Sequence, residues 1–345
     1  MHFSIASITA CLALVASTSV SAAPTSSSSP STLSSRAEAK VGYLASNFLG
    51  GNVQSVYFSL SRGNDALSFR MLNGGQPVLT PASGQGTGGA RDPYLVASPD
   101  GKTFWQIATD LDIGKTTWGE AVRTGSRAIY VWTSTNLVDW SPSELVDVED
   151  ATAGMVWAPS AHYNSATQEY TVFWSSRFYA ENDPDHKGAV VREDTIRYAT
   201  TKDFKTFSAP KNYLDATPFI DQEFLPLDNG GWARFLKNES SSVVTWQTTS
   251  DTSLLSSDWQ DHGAVTNAAR EGPAAFHDNN DASLIHLWLD DFSGPGRYLP
   301  YSTKSVTAGP WAQDDAPNFP TNLRHGSVIQ LNQQQYDALS QKWPA

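Results

Sequence analysis

Sulfur that could cross-link the fold is missing: Cys11 is the only cysteine in 345 residues. It lies in an apolar stretch from Ile5 to Val15, followed by small residues ending Val20-Ser21-Ala22. That pattern suits a cleaved secretory signal over residues 1–22, although no Lys or Arg precedes the apolar stretch. The roughly 305 residues that carry the fold are then held by burial alone, which a chain of that size achieves. Cysteine-based catalysis and thiolate metal sites are excluded as well.

Long apolar runs are also absent, so no segment after the leader reads as a membrane span. Basic charge is scarce: 23 Lys and Arg stand against 35 Asp and Glu, a net charge of -12. Nucleic acids and anionic membranes need basic patches, and neither is expected as a partner. Residues 23–39 are rich in Ser, Thr and Pro, cannot bury a core, and read as a disordered tether open to O-glycosylation. The expectation is a secreted, extracellular monomer with one domain over 40–345. Its sole Asn-x-Ser/Thr sequon is Asn238-Glu239-Ser240.

What the chain does have is aromatic residues, 12 of them tryptophan, and short strand signals from Lys40 onward. Five short motifs recur at intervals of roughly 50–66 residues: Arg91-Asp92-Pro93, Trp157-Ala158-Pro159, Ile220-Asp221-Gln222, Arg270-Glu271-Gly272-Pro273 and Arg324-His325-Gly326. Each opens a strand that ends in a polar turn, such as Ser98 to Lys102, Asp228 to Gly231 or Asp278 to Asp281. A hydroxyl-rich strand between two aromatics, as in Tyr130 to Trp140 or Tyr198 to Phe207, recurs after them. A repeat of several strands at this length predicts an all-β, five-bladed propeller. The last blade is split: Arg324 to Leu331 supplies its inner strand, and Val41 to Phe48 and Val56 to Leu60 supply the next two, so both termini close the ring. Only the tail from Asn332 to Lys342 reads as a helix.

The inner strand of a propeller blade lines the central channel, so Asp92, Asp221 and Glu271 are expected to crowd one mouth from matching places in three motifs. Three such carboxyls repel one another, which raises at least one pKa. Glycoside hydrolysis uses that arrangement, one carboxylic acid protonating the leaving oxygen and one carboxylate acting on the opposite face.

With these motifs, in this order, residues 40 to 335 resemble glycoside hydrolase family 43, five-bladed propeller enzymes acting on arabinose- and xylose-containing glycans, here as a secreted, fungal-type member. The resemblance implies Asp92 as general base, Glu271 as general acid and Asp221 as the residue that tunes the acid's pKa. It implies inversion, with the two carboxyls about 6.5–9.5 Å apart. The implied substrate is plant cell-wall oligo- or polysaccharide, with arabinofuranosyl units first and xylosyl units next. The alternatives are a β-xylosidase or β-galactan-active enzyme of the same fold, or a non-catalytic carbohydrate-binding propeller. The differing chemistry of the five motifs favours one composite site over five repeated ones.

Trp157 and His325 are candidates for substrate contact; the plainer readings are a core Trp and a satisfied channel histidine. No cofactor is required. The resemblance also allows a structural calcium in the central channel, reached by His325 through water, although no Asp-x-Asp calcium loop is evident. Glu223, two residues after Asp221 and so on the same face of a strand, is a rival modulator. Arg91 and Arg270 flank carboxylates and, by alternation, should face away and be structural. Ser160 stands where many family members carry an acidic residue. Trp174, Arg177, Phe178 and the polar insertion 181–187 are weak candidates for the pocket wall, solvated loop being the plainer reading.

Overall fold

The computed structural model describes residues 39–50 and 54–344. The expected signal, 1–22, and all but the last residue of the 23–39 segment lie outside the described residues. Three strands come first, β1 (Lys40–Leu49), β2 (Tyr57–Arg62) and β3 (Asp65–Met71). The next blade holds β4 (Ala90–Ala97), β5 (Phe104–Asp110), a short helix α1 (Trp118–Thr124), β6 (Ala128–Ser134) and β7 (Glu144–Asp147). Another follows with β8 (Trp157–Asn164), β9 (Glu169–Phe178), β10 (Arg192–Thr201) and β11 (Lys211–Leu214). Then come β12 (Phe219–Pro226), β13 (Trp232–Asn238), β14 (Val243–Thr249) and β15 (Gln260–Ala264), and after them β16 (Glu271–His277), β17 (Ile285–Asp291), β18 (Arg297–Thr303) and β19 (Ala312–Gln313). The chain finishes with β20 (Leu323–Asn332) and helix α2 (Gln333–Lys342).

These strands form five antiparallel four-stranded sheets, and in one of them the order is β20-β1-β2-β3. Strand β20 pairs with β1 from Lys40↔Asn332 to Leu49↔Leu323, so the two ends of the fold share a blade. The inner strands β4, β8, β12, β16 and β20 each touch the next around the ring, and the ring closes. The five-bladed propeller expected from the repeats is the fold observed.

Each sheet is covered on both faces by its neighbours, which is why its central strands are nearly continuous apolar runs. Five apolar clusters fill the five gaps between blades. In the gap beside the closing blade, Trp288 meets Phe69, Phe276 and Phe319 edge-on at 5.1, 5.3 and 4.7 Å. Burying one such side chain is worth about 1.5–3 kcal/mol, so the gaps and not cross-links hold the ring. The tail helix is as expected, its N-cap Asn332 accepting from Gln335 N in a capping box. Helix α1 was not expected. It is about two turns inserted between the second and third strands of a blade, started by Thr117 accepting from Glu120 N.

Candidate active site

One backbone device, repeated, builds the site. The pairing of four inner strands with their neighbours slips between Arg91 and Tyr94, Trp157 and Ser160, Ile220 and Glu223, and Glu271 and Ala274. The second residue of each slip has a left-handed backbone: Asp92 (φ 47°), Ala158 (φ 50°), Asp221 (φ 52°) and Gly272 (φ 55°). These are β-bulges, which insert an unpaired residue and re-aim the side chains around it. Pro93, Pro159 and Pro273 follow three of them, where no ladder N–H is needed. Asp tolerates the left-handed region better than most residues, and Gly tolerates it freely.

The bulges correct the expected register. Glu271 does not occupy the place of Asp92 and Asp221; Gly272 does, and Glu271 takes the place of Arg91, Trp157 and Ile220. Those four residues and Arg324 of β20 line a single cavity of about 570 Å³, one from each inner strand. Its walls come from the end of β1 (Phe48, Leu49), from α1 (Trp118, Val122), from Lys237 at the end of β13 and Glu239 just after it, and from Phe292 in the β17–β18 turn. Trp118 and Phe292 stand exposed at 54% and 37%. Trp157 meets Trp118 edge-on at 5.9 Å, so the expected sugar-contact residue is a cavity wall and not core.

The next residues along the inner strands form a second layer. His325 Nδ1 stands 3.4 Å from Asp92 Oδ1 and 3.8 Å from Asp221 Oδ1, bridging two carboxylates from different blades. Thr109 Oγ1 donates to Asp92 Oδ2 at 2.8 Å and accepts from Ala158 N at 2.8 Å. Gly272 N donates to Asp221 Oδ2 at 2.9 Å. Asp290, wholly buried, takes Arg324 Nε at 2.7 Å and His325 N at 3.1 Å, and Tyr298 bridges Gly272 O and Gly326 N. Arg324 Nη2 reaches Glu271 Oε1 at 3.4 Å. Thr109, Asp290 and Tyr298 were missed in the sequence; a carboxylate ending the apolar run Ile285 to Leu289 was the one available signal.

Charge states separate within this cluster. Burial pushes Glu271 up to about 8, and repulsion from Asp221 and Asp290 adds to it against the pull of Lys237 and Arg324. Burial likewise raises Asp221, with Asp92 repelling it and His325 attracting it. For Asp92 burial also opposes ionisation, but His325, Arg91 and Thr109 outweigh it and hold the carboxyl below its ordinary range. His325 rises to about 9, because Asp221, Asp92 and Asp290 overcome the cost of burying its charge. Near neutrality these surroundings favour a protonated Glu271 at the cavity wall and an ionised Asp92 in the layer behind it. Among the described residues no three His, Cys, Asp or Glu are grouped to hold a metal ion directly.

Other candidates fall elsewhere. Glu223 faces the far end of the channel, with Tyr94 and His162 around a cavity of about 250 Å³, because the bulge at Asp221 ends the same-face relation assumed for the two. Trp174 is buried and donates to Glu149 Oε1, and Arg177 pairs with Asp194 at 2.7 Å. Neither lines the cavity, nor does Phe178 or any residue of 181–187. Ser160 is buried with its hydroxyl unpartnered among the described residues. Arg270 is structural as expected, pairing with Asp291 at 3.3 Å. Arg91 is not: the bulge turns it into the cavity.

A family profile described as a probable glycosyl hydrolase domain, related to family 43, matches residues 38–337. An α-L-arabinofuranosidase of Bifidobacterium longum is 28% identical over 255 residues, which are 70% of this chain and 23% of that protein. The chain thus spans about a quarter of that relative's length. Among solved structures, the catalytic domain of a Coprinopsis cinerea family-62 α-L-arabinofuranosidase superposes with a TM-score of 0.50 at 13% identity, covering 71% of this chain and 75% of that one. An exo-β-1,3-galactanase of Phanerochaete chrysosporium gives 0.47 at 16% identity, covering 79% and 54%. At such identities the likeness concerns the fold.

Proposed function

Because the chain belongs to the family-43-related glycosyl hydrolases, we propose that it is an inverting glycosidase that releases arabinofuranosyl units from plant cell-wall polysaccharide. The arrangement that carries this reading is three carboxyls from three blades gathered at one cavity, with burial and Asp221 favouring a protonated Glu271 and His325 favouring an ionised Asp92. In the proposed step Asp92 takes a proton from a water as its oxygen attacks the anomeric carbon. The bond to the leaving oxygen breaks, and Glu271 gives that oxygen its proton. Asp221 keeps Glu271 protonated by repulsion, and His325 keeps Asp92 charged. Trp157 and Trp118 offer apolar faces to the sugar.

The sugar is proposed from the Bifidobacterium relative, an α-L-arabinofuranosidase; xylosyl or galactosyl units are the alternatives. The apolar leader and the Ser/Thr-rich segment behind it support secretion, in line with an extracellular polymer as substrate. Hydrolysis of chromogenic arabinofuranoside, xyloside and galactoside and of linear arabinan tests this reading. Arabinofuranosyl release is expected, with the anomeric configuration of the first-formed sugar inverted by NMR. Asp92→Ala and Glu271→Gln should each lower turnover by about 10²–10⁴-fold with the fold intact. Near-normal turnover in both variants ends the hypothesis and leaves a carbohydrate-binding propeller.

A further inference from the structure

Three cations line the cavity, and they are not equivalent. Lys237 is paired with Glu239, and Arg324 with Asp290 at 2.7 Å. Arg91, only 9% exposed, has no carboxylate within 4 Å among the described residues. Its neighbour Asp92 is engaged at both oxygens, Oδ1 by His325 and Oδ2 by Thr109. Glu271 turns to Arg324.

The guanidinium of Arg91 is nevertheless held in place. Its carbon lies 4.2 Å from the centre of the Phe48 ring and 5.3 Å from that of Trp118. With the Gln54 amide oriented to satisfy both its ends, its oxygen accepts from Arg91 Nη1 at 3.3 Å. Rings and one neutral acceptor leave most of the five N–H donors of the fork unused. Asp92, Glu271 and Asp290 act on this buried guanidinium only from beyond ion-pair distance, so its fork stays free for a direct partner, and the bidentate partner that matches it is a carboxylate. The surroundings agree: in a chain of net charge -12, this cavity is lined by three cations and two carboxyls.

We propose that Arg91 pairs with the carboxylate of a uronic acid residue, so that the glycan accepted here carries an acidic sugar beside the unit that is cleaved. The inference rests on the proposed function for placing a glycan in this cavity, and it specifies that glycan further. The Trp118 ring, exposed at the rim beside Arg91, provides the apolar face for the same sugar.

Binding, read without hydrolysis, tests it. The methyl glycosides of D-galacturonic acid and D-glucuronic acid are titrated at pH 6 against the carboxyl methyl esters of the same glycosides, which lack only the charge, by calorimetry or ligand-observed NMR. The wild type is expected to bind an acid at least tenfold more tightly than its ester, and added salt should narrow the gap. Arg91→Gln should abolish the preference, and Arg91→Lys, which keeps charge but not the fork, should retain part of it. Equal affinity of acids and esters for the wild-type protein overturns the proposal whatever the variants do. So does a preference that survives in folded Arg91→Gln, or one lost in Lys237→Gln alone. Arabinofuranosidase activity without acid preference sinks this inference only; acid preference without glycosidase activity sinks the proposed reaction instead.

Discussion

Asp92 and Glu271 are both carboxyl groups buried at one channel mouth, yet their protons are held oppositely. Burial opposes charge on each, so the difference comes from neighbours: His325 stands against Asp92, while Asp221 and Asp290 repel a charge on Glu271. A general acid works while protonated, so activity should fall as pH rises through about 8, the value to which Glu271 is pushed. Asp221→Asn removes one repulsion, lowers the pKa of Glu271 and should bring that alkaline limb to lower pH. The pH profile of kcat/KM checks this; an unmoved limb would mean that Asp221 does not tune the acid. At the same scale, His325 was legible as a channel residue, but its place between two carboxylates was not, because those partners lie about 100 and 230 residues away in the chain.

The element that matters most is the bulge at the head of each inner strand. A regular strand alternates its side chains, and on that rule Arg91 and Asp92 face opposite ways. The left-handed residue breaks the alternation, and Arg91, Trp157, Ile220 and Glu271 enter the cavity together. Gly272 is where this backbone is least negotiable. Ala158 shows that a methyl group is compatible with the same conformation, but at 272 a Cβ would lie 2.7 Å from His325 Cγ. Gly272→Ala should therefore cost about 1–3 kcal/mol of stability and displace His325 from the two carboxylates. Thermal unfolding and turnover measured side by side check it, with activity falling more than loss of folded protein explains. The strands themselves and their polar turns were readable from alternation and turn chemistry. Helix α1 was not, since seven residues inside a blade leave only a cap as signal.

At the scale of the molecule, the ring has no disulfide among its described residues and closes through one pairing, β20 with β1. Strand β20 also delivers Leu323 to one inter-blade cluster and Leu331 to another, and α2 adds Leu339. A chain ending at Pro320 loses all of this, leaves β1 without its inner partner, and opens two gaps at once. It should show no cooperative thermal unfolding and no activity; a soluble, fully active product of that length would refute closure by both ends.

The sequence by itself determined the number of blades and the joining of the termini, because these follow from a repeat and from hydrophobic alternation. It also determined that burial, without cross-links, holds the fold. Only the tertiary structure decided which of two adjacent residues meets the cavity, because a bulge is a property of paired strands. Only it decided which carboxyl is pushed toward its protonated form and which cation has no carboxylate in contact. Those depend on desolvation and on charges brought from other blades, and neither distance is written in the order of the residues.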